Sequence, residues 1–99
     1  MIVVNNRIPV HPDHHAIFEE TFGKRATLVD NMDGFISFQL LRPTNPDDPY
    51  VVMTFWESHE TYQAWISSDE FKQGHAKSGT LPRETFLGHP KLEVMEVVE

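Results

Sequence analysis

Residues 33–58 read DGFISFQLLRPTNPDDPYVVMTFWES, and this stretch predicts two β-strands joined by a short loop. Asp33-Gly34 is a turn signal, and the mainly apolar segment Phe35–Arg42 that follows it is typical of a strand. Pro43–Pro49 is a polar, proline-rich loop, and Tyr50–Glu57 has the aromatic and β-branched content of another strand. Because the connecting loop is short, we predict that the two strands pair as a hairpin.

The sequence on either side of this hairpin predicts two further strands and a set of helices. Met1–Val10 alternates as a strand does, and Leu92–Val98 is predicted to be the last strand. Pro12 suits the first turn of an amphipathic helix of about four turns. The residues that recur along that helix at three- and four-residue spacing are Ile17, Phe18, Thr21, Phe22, Arg25, Leu28 and Val29. Ser58 is the predicted N-cap of a second helix, and Ser67–Glu70 has the spacing of a capping box that restarts a short third one.

The resulting order, β-α-β-β-α-β, predicts an α+β fold of the ferredoxin-like type in one domain over residues 1–99. The hairpin strands carry apolar side chains on both faces, with Ile36, Phe38 and Leu40 predicted on one side and Phe35 and Leu41 on the other. The helices can cover only one face of the sheet. An exposed apolar second face predicts self-association, so we expect a homodimer.

The composition limits the partners of this domain. The 99 residues include 8 Lys+Arg and 15 Asp+Glu, which gives a formal net charge of −7. This balance argues against nucleic acid or a membrane as partner, because binding to anionic polymers and surfaces needs clustered Lys and Arg. The absence of cysteine excludes thiolate metal ligands and cysteine nucleophiles. No apolar run approaches the roughly 18 residues of a membrane span, and no signal peptide is evident, so we expect a cytoplasmic protein.

Asn6 is the first candidate functional residue. It shares its predicted strand face with Ile2, Val4, Ile8 and Val10, where the alternation calls for an apolar group. Desolvating an amide without hydrogen-bond partners costs on the order of 1–3 kcal/mol. Two interpretations remain open, namely an amide bonded to nearby backbone at a bulge, or a donor that faces a ligand cavity between sheet and helices.

His75 and Trp65 are the other two candidates. His75 follows Phe71 by four residues, which places both on one face of a helix if Phe71 packs in the core. A neutral imidazole in an apolar pocket is a good iron ligand, although a core histidine bonded to a carbonyl gives the same pattern. Trp65 precedes His75 by ten residues, and by itself it is equally well explained as a core aromatic.

Taken together, these residues resemble a known family. The segments that carry the resemblance are Asn6-Arg7, Asp33-Gly34-Phe35, Phe55-Trp56-Glu57-Ser58, Trp65, Ser68-Asp69, Phe71-Lys72 and His75. They resemble the antibiotic-biosynthesis-monooxygenase (ABM) superfamily and, more narrowly, the IsdG-type haem-degrading monooxygenases. The resemblance covers roughly residues 1–77 and the final strand, whereas the loop Ser78–Lys91 matches poorly.

The resemblance implies a dimeric α+β barrel with a haem between the sheet and the helices of each protomer. Asn6, Trp65 and His75 would form the catalytic set. His75 would be the axial ligand of the haem iron, and no other metal ligand is implied. Asn6 would hydrogen-bond the ligand derived from dioxygen, and Trp65 would press on the porphyrin. Phe22 and Arg25 resemble family residues of the first helix, and Arg25 would contact a propionate.

Haem would then be both substrate and cofactor, and its ring would open with dioxygen and electrons from an unidentified reductase, releasing iron. Two alternatives stay open from the sequence. One is a cofactor-independent quinol or polyphenol monooxygenase of the same fold. The other is a dimeric protein that binds haem or another ligand without turnover.

Overall fold

The computed structural model describes residues 1–23, 29, 32–78 and 81–99, and it describes side chains in 1–22, 29, 32–73 and 81–99. Within these ranges, four strands form one antiparallel sheet in the order β2-β3-β1-β4. The strands are β1 (Ile2–Ile8), β2 (Phe35–Leu41), β3 (Tyr50–Trp56) and β4 (Lys91–Glu96). The helices are α1 (His15–Gly23), α2 (His59–Ile66) and α3 (Asp69–Ser78), with 3-10 turns at Pro12–His14 and Arg83–Thr85. This order confirms the predicted ferredoxin-like α+β fold.

The central strand β1 determines which side chains share a face of the sheet. It pairs with β3 from Ile2–Trp56 to Ile8–Tyr50, and on its other edge it pairs with β4. We call one side the helix face and the other the open face; on β1 the helix face carries Ile2, Val4, Asn6 and Ile8, and the open face carries Val3, Asn5 and Arg7. The strand ends at Ile8 because Pro9 lacks a backbone N–H, and Val10 then forms an isolated bridge to Phe86.

Two clusters of buried side chains lie at opposite ends of the helix face. The first contains Ile2, Val4, Val29, Trp56, Tyr62 and Trp65, and the second contains Ile8, Val10, Phe18, Phe22 and Tyr50. Burying an aliphatic or aromatic side chain of this size stabilises the fold by about 1.5–3 kcal/mol. Because the clusters lie at the two ends of β1 and β3, the middle of the helix face is left for a pocket.

The described part of the first helix, His15–Gly23, contributes two buried aromatic side chains. The chain enters it through the 3-10 turn Pro12–His14, where His11 Nδ1 accepts a hydrogen bond from the Asp13 N–H. Phe18 and Phe22 of α1 are buried, whereas Ile17 is 42% exposed, so the two phenylalanines rather than Ile17 form the buried part of the predicted apolar face. A helix of nine residues presents only a narrow stripe to the sheet, and the pair Phe18–Phe22 fills it. Residues 24–28, including the predicted positions Arg25 and Leu28, lie outside the described residues.

Strand β2 contains a β-bulge that changes the predicted faces of two residues. Phe35 pairs with Trp56 and Ser37 pairs with Phe55, so Ile36 is an extra residue opposite a single step of β3. Phe35 therefore lies on the helix face, where its ring meets Trp56 edge-to-face at 5.7 Å, and Ile36 is 47% exposed. The predicted assignment of Ile36 to the side of Phe38 and of Phe35 to the opposite side is wrong, because alternation breaks at a bulge.

Serine caps begin both later helices: Ser58 is the cap as predicted, whereas α3 is capped by Ser68, one residue after the Ser67 that the capping-box spacing had indicated. The Ser58 hydroxyl accepts a hydrogen bond from the Thr61 N–H at 3.3 Å, and the Thr61 side chain completes a capping box. At α3 the cap is Ser68, whose hydroxyl oxygen accepts from the Phe71 N–H at 3.1 Å. The same hydroxyl donates to the main-chain oxygen of Trp65 at 2.6 Å, so it joins the end of α2 to the start of α3.

The apolar side chains of the open face are concentrated on β3, with polar ones on the flanking strands, and the described helices pack on the opposite side of the sheet. Val51, Met53 and Phe55 of β3 are half-buried there, and a 2.8 Å ion pair joins Arg7 to Glu93 across β1 and β4.

None of the helices in the described ranges combines the length and the apolar character required to span a bilayer.

Candidate active site

A pocket of about 270 Å³ lies over the middle of the helix face. Its floor comes from the sheet, its walls come from the helices, and the β4 end of the chain closes one side. The lining residues are Val4, Asn6, Phe22, Val29, Phe38, Val52, Thr54, Tyr62, Trp65, Phe71, Pro90 and Leu92. An apolar, aromatic cavity with a few polar groups is the usual form of a small-molecule site.

Asn6 lies on the floor of this pocket, paired with Val52 on one side and Leu92 on the other. In the described part of the chain its side-chain amide makes no hydrogen bond. The geometry therefore favours the second of the two predicted interpretations, an amide that faces a cavity, over an amide bonded to nearby backbone. An amide in this position can give a hydrogen bond to a bound molecule or accept one from it.

Trp65 forms a wall of the pocket from α2 and is 8% exposed. Its ring meets Phe71 edge-to-face at 5.4 Å and stacks on Trp56 at 6.3 Å with an interplanar angle of 27°. Trp56 is fully buried, so it backs the Trp65 ring from the side away from the cavity. A ligand that pushes on Trp65 thus meets a close-packed pair of indoles, which resists displacement.

The predicted site residues are brought together in part. Asn6, Trp65 and Phe22 line the same pocket. His75 belongs to α3, four residues after the lining residue Phe71, and its side chain lies outside the described residues. Arg25 also lies outside them. The roles predicted for these residues stay predictions.

Thr54 and Tyr62 are polar lining residues that the sequence reasoning missed. The Trp56 indole N–H donates a hydrogen bond of 3.0 Å to the Thr54 hydroxyl oxygen. Burial raises the pKa of Tyr62, so this phenol stays protonated. A signal for Thr54 existed in the sequence, since it is a hydroxyl between Met53 and Phe55 in an otherwise apolar strand. Threonine is so common in strands that the signal was weak.

A second polar cluster lies outside the pocket and ties α1 to the hairpin. Arg42 donates two hydrogen bonds to the Glu19 carboxylate, from Nε at 2.6 Å and from Nη2 at 2.5 Å. The Tyr50 hydroxyl donates to the same carboxylate. These bonds, from Arg42 first and then Tyr50, lower the pKa of Glu19 from 4.5 to about 2. Burial and the bond to Glu19 raise the pKa of Tyr50 to about 12.

The described residues contain no group of three or more His, Asp or Glu side chains arranged to hold a metal ion. A metal ion bound by several side chains of this part of the chain is thus not indicated. The pocket chemistry instead consists of one amide, one hydroxyl, one phenol and a set of aromatic rings.

Comparison with known proteins identifies the class to which this fold and pocket belong. Residues 1–77 match the family model for antibiotic biosynthesis monooxygenase. The chain is a member of the ABM family, and this confirms the superfamily resemblance seen in the sequence.

Its relatives within this family include haem-degrading enzymes. The chain is 44% identical over 66 residues to a Mycobacterium tuberculosis protein named heme oxygenase (mycobilin-producing), a match that covers 67% of this chain. The matched segment spans 63% of the length of that relative. A Staphylococcus epidermidis protein named heme oxygenase (staphylobilin-producing) is 31% identical over 81 residues, covering 80% of this chain and 77% of the relative. The narrower resemblance to haem-degrading monooxygenases is confirmed.

Structural similarity extends over the whole chain. The structure of the heme-degrader MhuD from Mycobacterium tuberculosis, with two hemes bound in its active site, is similar with a TM-score of 0.78 at 35% sequence identity. The match covers 100% of this chain and 97% of that one. The structural match therefore extends past residue 77, where the family match ends, and includes β4.

Proposed function

We propose that the chain is a haem-degrading monooxygenase whose pocket binds haem between the helix face and the helices. The observation that carries this proposal is the unpaired Asn6 amide on the floor of an aromatic cavity walled by Trp65. Flat aromatic walls suit a planar macrocycle, and the amide suits a small polar ligand beside it. The relatives named heme oxygenase support the same substrate.

In this proposal each predicted site residue has a separate role. His75 would hold the haem iron, Arg25 would contact a propionate, and Phe22 would pack on the ring. Asn6 donates a hydrogen bond into the cavity, and Trp65, backed by Trp56, presses on the face of the bound macrocycle. When bound, haem supplies both the ring that is opened and the iron that activates dioxygen. Electrons come from an external donor, and iron is released.

We further propose that the working form is a homodimer located in the cytoplasm. The half-buried Val51, Met53 and Phe55 on the open face support the dimer, because an apolar sheet face of this kind is usually covered by protein. Burial of this face would leave both pockets on the outer, helix-bearing sides of the assembly.

The first experiment is a hemin titration of the purified protein, followed by ascorbate in air in the presence of catalase. We expect a saturable Soret band, then its loss together with iron release. The titration endpoint also distinguishes one hemin per chain from two. Bleaching that catalase prevents would indicate peroxide damage and contradict turnover. Absence of specific hemin binding would overturn the proposal and favour a quinol oxygenase of the same fold.

A further inference from the structure

Thr54 has a hydrogen-bonding group that the protein itself leaves unused. It lies on the pocket floor, in the middle of β3, opposite Val4 and Phe38. Its hydroxyl oxygen accepts the Trp56 indole N–H at 3.0 Å, and within the described chain the hydroxyl makes no second bond. A hydroxyl has one proton to donate, and here that proton has no acceptor among the described residues.

Trp56 fixes the direction of that proton. The indole is fully buried and is held by Phe35, Tyr62 and Trp65, so its N–H cannot turn away from Thr54. Threonine is also stiff about its first side-chain torsion. The indole N–H occupies one side of the Thr54 hydroxyl oxygen, so the O–H must point in another direction. Because Thr54 lines the cavity, we expect the O–H to point into it.

Asn6 and Thr54 are diagonal neighbours on this floor, because Asn6 pairs with Val52 and Thr54 pairs with Val4. Diagonal positions across an antiparallel pair are roughly 7–8 Å apart between backbones, with longer side chains able to meet in between. Two donors on one apolar floor can therefore converge on a single acceptor atom of a bound molecule.

We propose that Thr54 is a second hydrogen-bond donor of the active site, acting beside Asn6 on a small ligand with a lone pair, and that Trp56 is its positioning residue. This inference rests on the proposed binding of haem, because the small ligand that Thr54 would contact is bound to the haem iron on the side of Asn6. The pocket would then favour anionic or strongly polar ligands there over apolar ones of the same size.

The test uses azide as the probe on the ferric, hemin-loaded protein. Thr54→Val removes the donor at nearly constant volume, and Thr54→Ser keeps it. We expect Thr54→Val to weaken azide binding by about 10- to 150-fold, the range of one hydrogen bond to a charged acceptor, with hemin affinity changed less than about twofold. Thr54→Ser should bind azide within about twofold of the wild type.

A second pair of variants separates the loss of the Thr54 donor from a loss of protein stability. Thr54→Val alone leaves the buried Trp56 N–H without an acceptor, which by itself lowers stability. Trp56→Phe and the double variant Trp56→Phe/Thr54→Val contain no such N–H, and they differ only in the hydroxyl. The double variant should bind azide less tightly than Trp56→Phe does.

The outcomes separate this inference from the function on which it rests. If the wild type binds no hemin, the proposed function fails and the role of Thr54 fails with it. Suppose that hemin binds, but that Thr54→Val matches the wild type in azide dissociation constant within twofold, and the double variant matches Trp56→Phe within twofold. Only the role of Thr54 is then overturned. A loss restored by Thr54→Ser and repeated in the Trp56→Phe background supports it.

Discussion

The hydroxyl of Ser68 donates a 2.6 Å hydrogen bond to the main-chain oxygen of Trp65. Because the Ser68 hydroxyl oxygen also accepts the Phe71 N–H, this one side chain fixes the end of α2 relative to the start of α3. Trp65 and Phe71 are both walls of the pocket, and α3 also carries His75. A single serine therefore connects the helix turn to the shape of the proposed haem site.

Replacing Ser68 should cost both stability and ligand affinity. Loss of an N-cap typically costs about 1 kcal/mol, so we expect Ser68→Ala to lower the melting temperature by about 4–8 °C. Hemin affinity should fall as well, because Trp65 and Phe71 lose their common link. Calorimetry and hemin titration measure the two effects. The adjacent Ser67→Ala is the control, since the Ser67 side chain is exposed. Equal melting temperatures of the two variants would contradict this role of Ser68.

His75→Ala tests the axial ligand. If His75 holds the iron, the variant should bind hemin at least about tenfold more weakly and show a shifted Soret band, because a coordinate bond is lost. Absorption titration of the ferric form measures both quantities. His59→Ala, at the exposed start of α2, is the matched control and should behave as the wild type does. An unchanged Soret spectrum in His75→Ala would remove this residue from the coordination of haem.

Asn6→Ala should separate binding from turnover. The amide contributes little to the apolar contacts of the pocket, so hemin should still bind within about threefold of wild-type affinity. Ring opening with ascorbate should slow by about tenfold or more, since one catalytic hydrogen bond is lost. Asn45→Ala is a control of the same chemistry, because Asn45 is exposed in the loop between β2 and β3. Equal rates in the two variants would mean that Asn6 plays no part in turnover.

We expect part of the free energy of unfolding to depend on the ionised Glu19 carboxylate and to be lost in acid. Its folded-state pKa of about 2 lies below the ordinary 4.5, so its bonds to Arg42 and Tyr50 contribute fully above pH 4.5 and are lost as the pH falls toward 2. Wild type should exceed Glu19→Gln in free energy of unfolding above pH 4.5, and the gap should shrink below it. Urea titrations across this range measure the gap. Glu96→Gln, at an exposed position of β4, should show no such dependence. A gap that stays constant down to pH 2 would show that the cluster is not the cause.

Met53→Arg tests the homodimer. Met53 lies half-buried in the middle of the open face, between Asn5 and Gln39. A charge placed there would be desolvated in an interface, so we expect the dimer dissociation constant to rise more than about tenfold, with the circular dichroism spectrum unchanged. Sedimentation velocity compares the species with the 11.5 kDa chain. Ala64→Arg, on the exposed side of α2, should remain dimeric. A wild type that sediments as a monomer would refute the interface itself.

Much of this architecture follows from local sequence signals. The hairpin, the Ser58 cap and the alternation of β1 were predictable, because turn residues, caps and strand period each act over a few neighbouring residues. Alternation placed Asn6 on the apolar face of β1, but it left open whether the amide bonds to backbone or faces a cavity. The faces of Phe35 and Ile36 did not, because the bulge is fixed by where β2 pairs with Trp56 and Phe55, two residues that lie beyond a loop.

The residues of the candidate site divide in the same way, into those that the sequence indicated and those that depend on tertiary contacts. Trp65 and Asn6 were found because each is unusual in its element or matches a family pattern. Thr54 was missed because a threonine in a strand is ordinary, and its importance comes from the buried indole N–H that it accepts. Periodicity grouped Ile17 with Phe18 and Phe22, but only the two phenylalanines are buried, because which side of a helix meets the sheet is set by tertiary packing.

The pairing of β1 with β4 has a consequence for the order in which the protein forms during synthesis. Ile2 pairs with Glu96 and Arg7 with Lys91, so β1 leaves the ribosome well before β4, its partner on that edge. Until then one edge of β1 is unpaired, and contacts between such distant segments form slowly. Pro90 and Leu92 line the pocket beside Asn6. A nascent chain thus lacks a complete pocket, and it acquires one only when its late and early segments join.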